Sequence, residues 1–83
     1  MKYKVAFKKS VSRDLRKIDK RLVNKILEKI DEELSVKASQ YPELKDPFSG
    51  LRKCRIGDYR IIFTIINDTV LILRIKHRKN AYK

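Results

Sequence analysis

The side chains in this 83-residue chain that could do chemistry are mostly cations, and a group of them lies in its second half: Lys53, Arg55, Arg60, Lys76 and Arg78, with His77 among them and Tyr82 in the tail. Lysine and arginine in number hold anionic oxygens, and arginine adds a planar fork that fits phosphate. Cys54 and His77 stand alone in their types, which excludes a disulfide framework and the common four-ligand zinc sites. No metal ligand set or cofactor motif is present. The formal charge is +12, from 22 Lys plus Arg against 10 Asp plus Glu. Residues 1–30 carry 11 basic and 3 acidic groups, 31–50 carry 2 and 5, and 51–83 carry 9 and 2. A merely Lys-rich composition of the thermophile type raises Glu along with Lys, which is not the case here. The partner expected is a polyanion, with nucleic acid ahead of a membrane surface. Charge alone does not say whether that partner is bound or cut.

Something must hold those cations in place, and 83 residues provide for one small domain, 1–83. The longest apolar stretch, around Ile61 to Ile66, falls far short of the ~18 to 20 residues of a membrane span. The start, Met1-Lys2-Tyr3-Lys4, lacks the apolar run of a signal peptide, so a cytoplasmic location is expected. A short alternating strand (Tyr3, Val5, Phe7) opens the chain. Apolar residues at Val11, Leu15, Ile18, Leu22, Ile26, Ile30 and Leu34 then recur in helical steps. Ser10 and Asp19 are placed to cap two helices, which predicts a helical hairpin. Ser39 to Gly50, with Pro42 and Pro47, reads as a loop. Leu51–Ile56, Tyr59–Ile66 and Val70–Lys76 read as three strands. The fold class expected is α+β: N-terminal strand, helical hairpin, then a three-stranded antiparallel meander, with helices on one sheet face.

Side chains alternate across a sheet, so turn lengths decide which residues share a face. A two-residue turn at Gly57-Asp58 pairs Ile56 with Tyr59, Arg55 with Arg60, Cys54 with Ile61 and Lys53 with Ile62. Cys54, Ile56, Tyr59, Ile61, Phe63 and Ile65 then form the core face, and Lys53, Arg55 and Arg60 share the other. On the last strand an odd-length turn, Asn67-Asp68-Thr69, would turn Leu71, Leu73 and Ile75 toward the helices and place Arg74, Lys76 and Arg78 beside Arg60. A two-residue turn would bury Arg74, which is costly, so the odd turn is expected. The result is a cationic platform on an uncovered sheet face. Like charges side by side across strands cost a few tenths of a kcal/mol each, so their retention favours a use over a merely solvated face.

With these residues placed, the chain resembles the RelE/ParE superfamily of small bacterial and archaeal toxins. The resemblance covers nearly the whole chain and is strongest in Leu51-Arg52-Lys53-Cys54-Arg55-Ile56-Gly57-Asp58-Tyr59-Arg60-Ile61-Ile62-Phe63 and in the ending Ile75-Lys76-His77-Arg78-Lys79-Asn80-Ala81-Tyr82-Lys83. The second string is similar to the closing pattern of the RelE branch. It implies the toxin of a toxin-antitoxin system: an mRNA endonuclease acting in the ribosomal A site, inhibiting translation, and wrapped and neutralised by a cognate antitoxin. Such enzymes are understood to activate the ribose 2′-OH for attack on the adjacent phosphate without a metal. The chemistry needs a base, cationic stabilisation of the phosphorane and an acid for the leaving 5′-oxygen.

Carried over by position, the resemblance assigns Arg60 and Arg78 to the scissile phosphate, Lys53 and Arg55 to the paired basic residues of the preceding strand, and Tyr82 to contact with a nucleotide. The second basic position departs from the lysine pair of the best-known RelE enzyme. Arginine, with a pKa above ~12, is a poor base, which favours Lys53 for the 2′-OH proton. The acid stays open between Arg78 and His77, and His77 is equally a structural residue. Cys54 reads as an apolar filler. The acidic middle, Asp31 to Asp46, is expected to lie furthest from RNA, and the basic helices (Lys17, Lys20, Arg21, Lys25, Lys29) to be solvated or to dock ribosomal RNA. Two other readings compete: a ParE-like gyrase poison acting by binding, and a non-catalytic basic nucleic-acid-binding module.

Overall fold

The structure is a computed structural model that describes residues 2–79. Strand β1 (Lys4–Phe7) leads into helix α1 (Lys9–Arg16) and then α2 (Lys20–Lys29). A wide π turn (Ile30–Leu34), a short α3 (Ser35–Lys37) and a 3₁₀ turn (Ala38–Gln40) continue α2. Strands β2 (Arg52–Ile56), β3 (Tyr59–Ile66) and β4 (Thr69–His77) follow a loop. The sheet order is β1-β4-β3-β2, with β1 parallel to β4 and the later pairs antiparallel. The α+β layout and the helical hairpin are as expected.

Asp19 caps α2, its carboxylate accepting from the Arg21 N–H at 2.8 Å. Ser10 does not cap α1: the cap position is Lys8, and the Ser10 hydroxyl instead donates to the Leu73 carbonyl at 2.8 Å. Ile26, Ile30, Leu34 and Ala38 are all buried, at a strict spacing of four. In a pure α-helix such a stripe drifts about 40° per step. The π turn, with its i→i+5 bonds, offsets that drift and keeps all four against the sheet. They meet Cys54, Ile61, Phe63, Val70, Ile72 and Ile75, with Val11 from α1.

The β2–β3 pairing is the one the sequence predicts: Ile56 opposite Tyr59, Arg55 opposite Arg60, Cys54 opposite Ile61, Lys53 opposite Ile62. Gly57, at φ 57°, supplies the left-handed residue of the turn. The β3–β4 pairing reaches the expected end by a different route. Its turn has two residues, Asn67-Asp68, since Ile66 pairs with Thr69, and Asn67 takes the left-handed conformation at φ 55°. With that turn Val70 and Ile72, not Leu71 and Leu73, point into the core. A bulge then changes the phase: Phe63 pairs with Ile72 but Ile62 pairs with Arg74, leaving Leu73 as the extra residue. Beyond it Ile75 is buried and Lys76 lies opposite Arg60.

β1 pairs with β4 only from Thr69 to Ile72, and α1 lines the next stretch of the β4 edge. Lys8 N–H donates to the Ile72 carbonyl at 2.9 Å, Ser10 to Leu73, and Ile75 N–H to the Asp14 carboxylate at 2.9 Å. The helix thus satisfies backbone groups that an edge strand leaves open.

Candidate functional site

The register sets the cations in two rows across three strands. Arg55, Arg60 and Lys76 face one another in the first row, and Lys53, Ile62 and Arg74 in the second. Alternation puts all six on the face turned away from the helices. Lys53 and Arg55 are exposed, while Arg60 and Lys76, on the inner strands, are half-buried. An anion above this face meets charge from β2, β3 and β4 at once, and the half-buried groups are less screened than surface charges.

The face is not bare, as the sequence led us to expect. Leu44, Phe48 and Leu51 of the preceding loop line a cleft of about 320 Å³ together with Lys53, Arg60, Ile62, Arg74 and Lys76. The loop is fastened there: Leu44 N–H donates to Leu51 carbonyl at 2.8 Å, and the Thr64 hydroxyl to Gly50 carbonyl at 2.9 Å. Arg52 closes its base, donating to the Tyr41 carbonyl and to Glu43. The acidic middle therefore does not stand wholly apart from the cations, because Leu44 belongs to it. A smaller recess of about 200 Å³ joins Lys53, Arg55 and Arg60 to Pro42.

Arg74 is held from behind. Its Nε and Nη2 donate to the two oxygens of Asp14 on α1, both at 3.0 Å. Asp14 is 6% exposed, whereas the Arg74 side chain is 44% exposed. Burial alone would raise the Asp14 pKa, but hydrogen bonds from Arg74 and the Ile75 N–H, with the charges of Arg74 and Lys76, together hold it below the usual carboxylate value. Sequence reasoning passed over Asp14. The available signal was an acid falling with Val11, Leu15 and Ile18 on the inward face of a basic helix.

His77 pairs with Tyr59 and meets its ring edge-on at 5.2 Å and 90°. The Lys79 N–H donates to its Nδ1 at 3.2 Å, so in the neutral ring the proton sits on Nε2. In phase with Ile75, it faces away from the Arg60 row. Arg78 stands exposed just past β4, its N–H bonded to the Asp58 carbonyl at 2.7 Å. Tyr82 lies outside the described residues. Cys54 is buried; burial first, and the Glu33 charge, push its thiol pKa up against a lowering hydrogen bond with Tyr41, which suits a filler. Lys17, Lys20, Arg21, Lys25 and Lys29 are exposed on the helical hairpin. Among the described residues no cluster of three or more His, Cys, Asp or Glu is gathered, nor is any helix long and apolar enough to cross a membrane.

A family model described as the ParE toxin of the type II toxin-antitoxin system, parDE, matches residues 5–82. The chain belongs to that toxin family. The toxin is 31% identical to Toxin RelG of Mycobacterium tuberculosis, over 100% of this chain and 99% of that one. It superposes on a chain of the RelBE2 toxin-antitoxin complex of Mycobacterium tuberculosis with a TM-score of 0.88, at 30% identity, covering 96% of the toxin and 95% of that chain. A chain of the archaeal RelE-RelB complex of Pyrococcus horikoshii gives 0.73 at 26% identity, covering 96% and 99%. The toxin is thus homologous to members of the RelE/ParE superfamily, and its fold is theirs.

Proposed function

We propose that this toxin is an endoribonuclease that cleaves mRNA in the ribosomal A site and so inhibits translation, and that a cognate antitoxin wraps and neutralises it. The observation that carries the reading is the row of Arg55, Arg60 and Lys76 across three strands, flanked by Lys53. Such a row serves no purpose in stability, since like charges in register weaken a sheet. It suits the extra charge that a phosphorane gathers when a ribose 2′-OH attacks the neighbouring phosphate. Lys53 takes the 2′-OH proton: the arginines of β2 and β3 do not give up theirs, and Lys76 stands in register with Arg60 on the phosphate. Arg60 holds the scissile phosphate, with Arg55 and Lys76 beside it. Arg78 offsets the charge on the leaving 5′-oxygen, which takes its proton from solvent water; His77 is turned to the other side of β4, against Tyr59. Tyr82 orients a nucleotide. The antitoxin partner is supported by the toxin-antitoxin complexes among the homologous structures.

The description of the matching family favours a second reading, a gyrase poison that acts by binding. Cell-free translation of a defined message, read by primer extension, separates the two. New 3′ ends within ribosome-occupied codons, lost in Arg60→Ala, support the nuclease. Intact message together with blocked gyrase supercoiling overturns it.

A further inference from the structure

The cleft above β3 has two unlike halves. One is cationic: Lys53, Arg60, Arg74 and Lys76. The other is apolar: Leu44, Phe48, Leu51 and Ile62. The cations account for phosphates, but nothing in the proposed chemistry uses the apolar half. Phe48 is 57% exposed and lies outside the cluster that forms the core, so the fold does not need its ring.

Its backbone, by contrast, is fixed. Phe48 N–H donates to the Lys45 carbonyl at 2.9 Å and the Phe48 carbonyl accepts from Leu51 N–H at 3.1 Å. Gly50, in the left-handed region at φ 92°, reverses the chain while its carbonyl is bonded to Thr64 on β3. A solvent-exposed aromatic ring on an anchored loop, beside a row of cations, has the composition of a nucleotide site: a planar apolar surface for the base and charge for its phosphate.

We propose that Phe48, with Leu44 and Leu51 in the same cleft, is a stacking shelf for an RNA base next to the phosphate held by the Lys53–Arg60 group. The shelf rests on the reading of the toxin as RNA-directed and extends it, assigning a base-binding residue in the loop before β2. Because every base has a π-face, Phe48 contributes affinity and placement with little choice among bases. Charge complementarity selects a nucleotide over a neutral apolar peptide as the occupant, since four cations line the same cleft.

The test uses the full chain and short single-stranded RNAs that are 2′-O-methylated to prevent cleavage and carry 2-aminopurine at successive positions, a base whose fluorescence falls when it stacks. Wild type is expected to quench one position strongly, and Phe48→Tyr to do the same. Phe48→Leu, which keeps an apolar side chain but no ring, and Phe48→Ala are expected to lose that quench and weaken binding by about 5- to 100-fold. The salt dependence of binding is expected to be unchanged, because the cations remain. Circular dichroism checks that each variant is folded. Quench and affinity undiminished in Phe48→Leu overturn the shelf, as does a wild type that quenches no position. A loss confined to antitoxin binding also overturns it and reassigns the cleft to the protein partner. Quenching that depends on Phe48 with uncut message on the ribosome leaves the shelf standing and removes the nuclease reading.

Discussion

Asp14→Ala is expected to be among the costliest single changes in α1, for a reason that has little to do with its ion pair. The carboxylate accepts three hydrogen bonds, two from Arg74 and one from the Ile75 N–H. Arg74, 44% exposed, returns to water when its partner goes, and a pair of that exposure contributes about 0–1 kcal/mol. Ile75 is 2% exposed, and its N–H, left without an acceptor, costs about 1–3 kcal/mol. The sum is about 1–4 kcal/mol, which at ~4–8 °C per kcal/mol for a domain of this size lowers Tm by roughly 4–30 °C. Asp14→Asn keeps an acceptor for Ile75 and is expected to cost about 1 kcal/mol. Arg74→Ala leaves a buried carboxylate whose pKa is then raised by burial, and is expected to cost about 1–2 kcal/mol, below the figure for full removal of a partner because the Ile75 bond and Lys76 remain. Urea unfolding by circular dichroism measures all three, with the slope m checked for constancy. The pH dependence is a second readout. A carboxyl whose folded pKa is depressed adds stability that is fully present above the unfolded value of about 3.9 and is lost as pH falls through the lower folded value. The gap between wild type and Asp14→Asn should hold from about pH 7 to 5 and close below about 4. An Asp14→Ala cost under about 1 kcal/mol, or a gap unchanged down to pH 3, would refute the account of α1 as the seal on β4.

Lys53→Ala is expected to lower message cleavage by about 10²–10⁴-fold and Arg60→Ala by about 10²–10³-fold, measured by primer extension. Lys53 is exposed, so its variant should melt within about 0.5 kcal/mol of wild type; a folding defect in place of a catalytic one would count against it as the base. Arg55→Ala and Lys76→Ala should each reduce the log–log salt slope of single-stranded RNA binding by about 0.7, and an unchanged slope would remove that residue from the phosphate contacts. Ser10→Ala, which leaves the Leu73 carbonyl without its hydroxyl donor, is expected to cost about 1 kcal/mol in urea unfolding, against a few tenths if Ser10 were only a solvated helix residue.

The β2–β3 register was readable because Gly57 permits a tight turn and the residues beside it, Lys53-Cys54-Arg55-Ile56 and Tyr59-Arg60-Ile61, alternate charged with apolar; the structure keeps every predicted pair there. The last strand was not readable in the same way. Val70-Leu71-Ile72-Leu73 is apolar at each position, so period two carries no phase information, and a bulge inside it leaves no mark on hydropathy. The expectation that Lys76 would stand beside Arg60 was met, while the three-residue turn invoked to put it there is absent. Arg74 was expected on the platform with Arg60 and Lys76. It lies on that face, but its guanidinium is tied to a carboxylate 60 residues away in sequence, a pairing that local pattern cannot register. Phe48 and Leu44 sat unread in a proline-containing loop, since loop residues have no periodicity from which a facing can be inferred.

The bulge at Leu73 makes β4 tolerant of a change in length. The sheet counts paired residues, and Leu73 has no partner of its own. Deleting one apolar residue between Leu71 and Leu73 removes the bulge and leaves a regular ladder, with Arg74 still opposite Ile62, Ile75 opposite Ile61 and Lys76 opposite Arg60. A one-residue gap drawn in this run when two such sequences are aligned therefore keeps the basic residues on the cleft side of the sheet and Ile75 on the side occupied by the helices.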